Sequence, residues 1–236
     1  MKLLAWGIET DKSATTDKAK YLLGTANKYG VQVEFVGLGT QYTADIDKLY
    51  TLQKHLQNVN DDELVVCIDA YDTLVNRPFE DLESIYETFN TEVVISAERL
   101  FTYQWHTFQD KFELIKSPYK YVNAGTLMGR CKYVKSMVTE CIDLLKVHNT
   151  KVDQGVLGVW VYNNMGTPSK VKLDTKTQLF WVVSAEWNIL KESSESSKVI
   201  INPTTFNVPF IIHSTGNKAD FHFKCFLSAH KNILHR

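Results

Sequence analysis

The chain contains no run of about 18 apolar residues, the length a helix needs to cross a membrane. It begins Met1-Lys2-Leu3-Leu4-Ala5-Trp6-Gly7-Ile8-Glu9-Thr10, with an apolar stretch too short for a secretory signal. No Asn-x-Ser/Thr acceptor site is usable, because Asn202 is followed by Pro203. Only four cysteines occur, Cys67, Cys131, Cys141 and Cys225, and none stand at Cys-x-x-Cys spacing. That argues against a zinc knuckle. Neither charge is in excess: the net charge is -1, so no global field draws the chain toward nucleic acid. The expectation is a cytoplasmic chain with no membrane span and no nucleic-acid partner. A domain separated from its targeting signal is the alternative.

The 236 residues suffice for one large domain or two small ones. Hydrophobic residues at 44% and charged residues at 22% are ordinary for a globular protein. We read residues 1–236 as one domain, because the polar stretch Lys191 to Lys198 lies between predicted elements and reads as a surface insertion.

Apolar periodicity alternates between strand and helix. Strands are expected at 2–8, 31–36, 64–68, 93–96 and 126–128. Helices are expected over 17–29, closed by Gly30, and at 46–56, 80–89, 131–147 and 153–163. Such alternation implies βαβ units and a mixed, mostly parallel sheet with helices on both faces, a Rossmann-like α/β fold. The second half is less regular.

The run Leu64-Val65-Val66-Cys67-Ile68 ends abruptly in Asp69-Ala70-Tyr71-Asp72. Open α/β sheets bind ligands past the carboxyl ends of their strands. Two carboxylates there repel unless a cation lies between them, and hard divalent cations take oxygen ligands. A metal-dependent nucleotide or phosphate site follows. The bland reading is one capping and one turn aspartate. A dehalogenase-type phosphatase reading, Asp-x-Asp-x-Thr, fits poorly because the second Asp falls one residue late. Far downstream, Ile211-Ile212-His213 ends a second apolar run and is followed by Ser214-Thr215-Gly216-Asn217-Lys218. The imidazole suits a metal and the ammonium a diphosphate. Hydrogen-bonded and solvated roles are the plainer alternatives.

Together these segments resemble the GT-A glycosyltransferases, and most closely the glycosyltransferase domain of the lysyl hydroxylases. Asp69-Ala70-Tyr71-Asp72 is similar to that family's Asp-Ser-Tyr-Asp. Ser96-Ala97-Glu98 matches its Ser-Ala-Glu, and Val122 to Gly129 its Leu-Asn-Ser-Gly-Gly-Phe-Ile-Gly. Asp153-Gln154 matches the end of an acidic run, Leu173-Asp174 a Leu-Asp pair before an aromatic, and Gly37-Leu38-Gly39 a glycine turn. The resemblance spans about residues 3–222 in order, and several motifs in register are far more specific than any one. Two departures stand out: the acidic run is shorter here, and the family's Cys-Trp-Pro loop reads Phe101-Thr102-Tyr103-Gln104-Trp105. The family's hydroxylase part is absent, so the chain resembles a stand-alone transferase of the kind large viruses carry.

The resemblance implies Mn2+ and a UDP-sugar donor, UDP-glucose, with glucose transferred in retained configuration to galactosyl-hydroxylysine of a collagen-like chain. It implies Asp69, Asp72 and His213 as metal ligands. It implies donor contacts from Tyr71, stacking on uracil, from Lys48, Gly216 and Lys218 toward the diphosphate, and from Ala5 and Gly7 as small groups around uridine. It implies Asn123, Asp153 and Gln154 near the sugar, and Glu98 in the same floor. Asp153 or Asp174 would face the acceptor amine, with solvation or helix capping as their plainer roles. Tyr103 or Trp105 would gate the site, or simply pack a loop. Galactose transfer to hydroxylysine and an inactive collagen-binding module are the rival functions. The amphipathic stretch Phe221 to Leu227 allows internal packing or a homodimer.

Overall fold

The computed structural model describes residues 1–7, 16–102, 106–167, 169–183 and 199–215. The expectations for Tyr103, Trp105, the 191–198 loop, Gly216, Lys218 and the 221–227 stretch lie outside these residues.

In chain order the elements are β1 (Lys2–Trp6), α1 (Lys20–Lys28), β2 (Val33–Val36), α2 (Asp47–Leu56), β3 (Leu64–Asp69), β4 (Thr73–Val75), α3 (Leu82–Thr88) and β5 (Val93–Glu98). A 3-10 turn (His106–Phe108) and α4 (Asp110–Glu113) lead to β6 (Tyr121–Arg130), α5 (Cys131–His148), α6 (Asp153–Asn164), β7 (Val171–Asp174), β8 (Phe180–Val183) and β9 (Ile211–Ser214). The main sheet runs β2-β1-β3-β6-β5-β7. All its neighbours pair in parallel except β6, which is antiparallel to both β3 and β5. The expected mixed, mostly parallel α/β sheet is the fold observed.

Side chains along each strand alternate between two cores, as the pleat requires. Leu4, Val65, Cys67, Val93, Ile95 and Leu127 face Leu49, Leu52 and Leu56 of α2, Val134, Met137 and Val138 of α5, and Val156 and Trp160 of α6. Leu3, Ala5, Leu64, Val66, Ile68, Val94 and Met128 face Leu22 and Ala26 of α1 and Leu82 and Tyr86 of α3. Helix α1 ends as its sequence foretells. Gly30 takes φ +66°, its N–H donates to Asn27 C=O at 3.1 Å and that of Val31 to Ala26 C=O at 2.9 Å. Glycine suits this left-handed cap because it has no Cβ to clash.

A second, three-stranded sheet, β4-β9-β8, has no counterpart in the strands read from sequence except the apolar run ending in His213. It packs through Leu74, Trp181, Val183 and Ile212 against Ala97 and Tyr119. The strand expected at 126–128 is the ten-residue β6, and that expected at 2–8 ends at Trp6. Among the described residues no helix is long and apolar enough to cross a membrane.

Candidate active site

The site begins where β3 ends. Asp69 closes that strand, and Thr73 Oγ1 returns a hydrogen bond to its carbonyl at 2.5 Å, folding the Ala70–Asp72 turn. The chain then enters β4, whose antiparallel pairing with β9 sets Thr73 opposite His213. The Ser214 N–H donates to Asp72 C=O at 2.8 Å. Two residues remote in sequence are thereby fixed beside the strand-end aspartates. His213 Nε2 lies 3.2 Å from Asp72 Oδ2 and 3.7 Å from Asp69 Oδ2. One ligand atom from each of Asp69, Asp72 and His213 falls within 4.8 Å of the others.

This triad fits a divalent cation on its own chemistry. Asp72 Oδ1 is buried with no hydrogen-bond donor among the described residues, a costly state for a carboxylate oxygen that a cation would relieve. Burial and the neighbouring Asp72 raise the Asp69 pKa, with Lys48 opposing. Burial disfavours the His213 imidazolium, but the Asp72 and Asp69 carboxylates outweigh it and its pKa is raised. Two carboxylates and one imidazole are a donor set suited to a divalent cation.

Lys48, from α2, is buried beneath the triad. Its ammonium donates to Asp69 Oδ1 at 2.5 Å and to Ala124 C=O at 2.6 Å, with Asp153 Oδ2 at 3.8 Å. Burial opposes the charged lysine, yet Asp69 and Asp153 raise its pKa overall. Asp69 is thus divided, Oδ1 toward the lysine and Oδ2 toward His213. Burial pushes Asp153 up to about 6, partly offset by Lys48.

The floor is polar and closely bonded. Gln154 Nε2 donates to Glu98 Oε1 at 2.8 Å and to Thr102 C=O at 3.0 Å, while its Oε1 accepts from the Ala124 N–H at 3.3 Å. Asn123 Nδ2 donates to Glu98 Oε1 at 3.3 Å, and Thr102 Oγ1 reaches the same oxygen at 3.2 Å. Burial raises the Glu98 pKa against these hydrogen bonds. The backbone allows this convergence through a bulge. Between the pairs Ile95↔Leu127 and Ala97↔Val122, β6 advances five residues while β5 advances two. Bulges of this kind re-aim side chains beside sites.

The β1 end adds Gly7 and Trp6. A Cβ on Gly7 would stand 2.8 Å from the Tyr71 hydroxyl, so glycine leaves room for that ring. Trp6 Nε1 donates to Thr51 at 3.0 Å, and the Lys48 ammonium lies 5.6 Å from the Trp6 ring centre.

The structure therefore gathers Asp69, Asp72, His213, Lys48, Asn123, Asp153 and Gln154, with Tyr71 and Gly7 on the rim. Ala5 and Asp174 are not in the group. Ala5 is fully buried among Leu3, Ile68 and Ala70. The Asp174 carboxylate, also fully buried, accepts backbone N–H bonds from Gln178 at 2.9 Å, Leu179 at 2.7 Å and Phe180 at 2.8 Å. It anchors the β7–β8 turn. Gly125 carries more than its motif announced: a Cβ there would stand 2.0 Å from His213 Cε1. Its place in an Asn-x-Gly stretch within an otherwise apolar strand was the available signal. Thr102 gave no signal in the sequence.

A sheet of this order, with carboxylates at the β3 edge, has the fold of the GT-A glycosyltransferases. The chain is similar in fold to the galactosyltransferase LgtC solved with donor and acceptor sugar analogs, with a TM-score of 0.57, 13% identity and 97% and 96% of the two chains covered. It is likewise similar to a glycosyltransferase involved in glycosylation of the major capsid of PBCV-1, with a TM-score of 0.56, 12% identity and 96% and 98% coverage. The chain belongs to the PLOD GT domain family, the glycosyltransferase domain of lysyl hydroxylases, whose model matches residues 2–229. No curated protein matches it.

Proposed function

We propose that this glycosyltransferase takes glucose from UDP-glucose, with Mn2+ held by Asp69, Asp72 and His213, and transfers it with retention to galactosyl-hydroxylysine of a collagen-like chain. The observation that carries the proposal is the convergence of those three ligands over buried Lys48, in a chain of the PLOD GT family. When bound, the metal would stabilise charge on the departing diphosphate as a Lewis acid.

The chain's own residues prepare that step. Lys48 holds Asp69 by Oδ1 and leaves Oδ2 facing His213. Preorganised charge of this kind costs no reorganisation during reaction. The Tyr71 ring, set beside Gly7, offers a flat face for uracil. Gln154 has both amide atoms engaged by Glu98, Thr102 and Ala124, which suits it to shape the sugar pocket rather than to attack the sugar. Asp153, close to Lys48 at the edge of the floor, is the carboxylate assigned to the acceptor amine. Asp174 has no part in this scheme. Gly216 and Lys218 are assigned to the diphosphate by the motif alone. A cytoplasmic setting belongs to the same proposal, and cell fractionation tests it.

The test is UDP release from UDP-glucose with Mn2+, with and without galactosyl-hydroxylysine peptide, in the wild type and in Asp72→Ala. Release that needs Mn2+, is stimulated by the peptide and is lost in Asp72→Ala is the expected result. Release from UDP-galactose stimulated only by unglycosylated hydroxylysine peptide would replace the assignment with galactose transfer to hydroxylysine. Folded protein that releases nothing from UDP-glucose or UDP-galactose would favour the inactive collagen-binding module.

A further inference from the structure

We infer that Asn123 is a positioning residue that fixes the ring orientation and tautomer of His213, so that Nε2 is the nitrogen offered to a metal. The inference rests on the metal reading above for its purpose but not for its geometry. Asn123 Oδ1 lies 3.0 Å from His213 Nδ1 and accepts the Gly125 N–H at 2.9 Å, with Ser96 Oγ at 3.5 Å. Its Nδ2 faces Glu98 Oε1 at 3.3 Å and Gln154 Oε1 at 3.4 Å.

The orientation of this amide follows from groups with a single capability. A backbone N–H can only donate, so the atom facing Gly125 is the carbonyl oxygen. Gln154 is oriented in the same way: its Oε1 faces the Ala124 N–H and its Nε2 the Thr102 carbonyl. Asn123 Nδ2 therefore meets two acceptors, and Asn123 Oδ1 meets only donors. His213 Nδ1 must carry a proton toward Oδ1, and Nε2, facing Asp69 Oδ2 and Asp72 Oδ2, is the nitrogen that gives up its proton for a metal.

The β6 bulge makes this contact possible. It turns Asn123 toward the ring while Gly125, lacking a Cβ, lets the same ring lie against the strand. His213 is 3% exposed, so water has little access to substitute for the amide. A ligating histidine whose other nitrogen is held by a hydrogen bond keeps its tautomer and direction, and losing such a partner typically weakens metal affinity roughly 10- to 100-fold.

Imidazole nitrogen-15 correlation spectra of the metal-free protein in alkaline buffer, assigned by loss in His213→Gln, read the tautomer directly. Titration with Mn2+ alone, followed by the signal of the free ion, reads affinity. The expected wild-type pattern is a protonated Nδ1 and a bare Nε2. Asn123→Leu should lose that pattern and bind Mn2+ roughly 10- to 100-fold more weakly. A neutral wild-type ring with its single proton on Nε2 would overturn the inference, and needs no variant to fold. So would a folded Asn123→Leu with unchanged Mn2+ affinity. A protonated Nδ1 in protein that binds no Mn2+ would support the tautomer assignment while removing the metal reading on which its purpose rests.

Discussion

Single atoms decide much of this site. Gly125→Ala would place a methyl carbon where the His213 ring lies, 2.0 Å from Cε1, so the ring or the strand must move. We expect Mn2+ affinity to fall at least tenfold, measured by calorimetric titration, with the far-ultraviolet dichroism of the wild type retained. Asp174 gives a pH-dependent outcome. Burial pushes its pKa to about 6 from 3.8. A raised acid favours the folded state while protonated, so its contribution is present below about pH 4 and is lost as pH rises through about 6. The shift corresponds to about 3 kcal/mol at about 1.4 kcal/mol per unit. Asn at this position stays neutral but replaces one acceptor oxygen with a donor. Asp174→Asn should therefore be less stable than wild type at low pH, with the gap narrowing as pH passes from about 4 to about 7. Urea unfolding across that range checks it, and a constant gap would contradict it. Two aspartates after a buried strand and a histidine after another are strong local signals, and the structure brings those three side chains together. The burial of Ala5 and Asp174 was not legible, because their environments depend on neighbours no motif specifies.

Elements tell a different story. Strands β1, β3 and β5 were legible as short apolar runs and helices α2 and α5 as apolar residues at helical spacing, whereas α6 is buried at every position from Gln154 to Val161. β6 was legible only at 126–128, since Asn123 and Gly125 are poor strand formers held there by the bulge and its hydrogen bonds. β4, three residues long, carries no periodic signal at all. It is pinned instead by Thr25 of α1, whose hydroxyl accepts the Val75 N–H at 3.0 Å and donates to Tyr21 C=O at 2.8 Å. Thr25→Val keeps the shape and orphans the buried Val75 N–H. Leaving such a group unsatisfied costs about 1–3 kcal/mol. The urea midpoint should fall accordingly with an unchanged slope.

For the whole molecule, binding is linked to stability. Mn2+ that binds only the folded state adds about 2.7 kcal/mol at a hundred times its dissociation constant. For a domain of this size that is a rise in melting temperature of roughly 5–11 °C. Scanning calorimetry should show this rise in the wild type and none in Asp72→Ala. Equal shifts in both would place the ion elsewhere.

The three proposed ligands do not share one sheet. Asp69 ends β3 in the six-stranded sheet, His213 stands on β9 in the three-stranded one, and Asp72 lies in the turn between β3 and β4. Bringing His213 home closes a loop of well over half the chain, and closure entropy delays such contacts until shorter-range ones exist. The six-stranded sheet lacks no strand without β9, so it has the means to form early and wait. On this view the ion-binding corner is the last part of the molecule to assemble and the first to open. Catalytic competence then becomes a report that folding has finished.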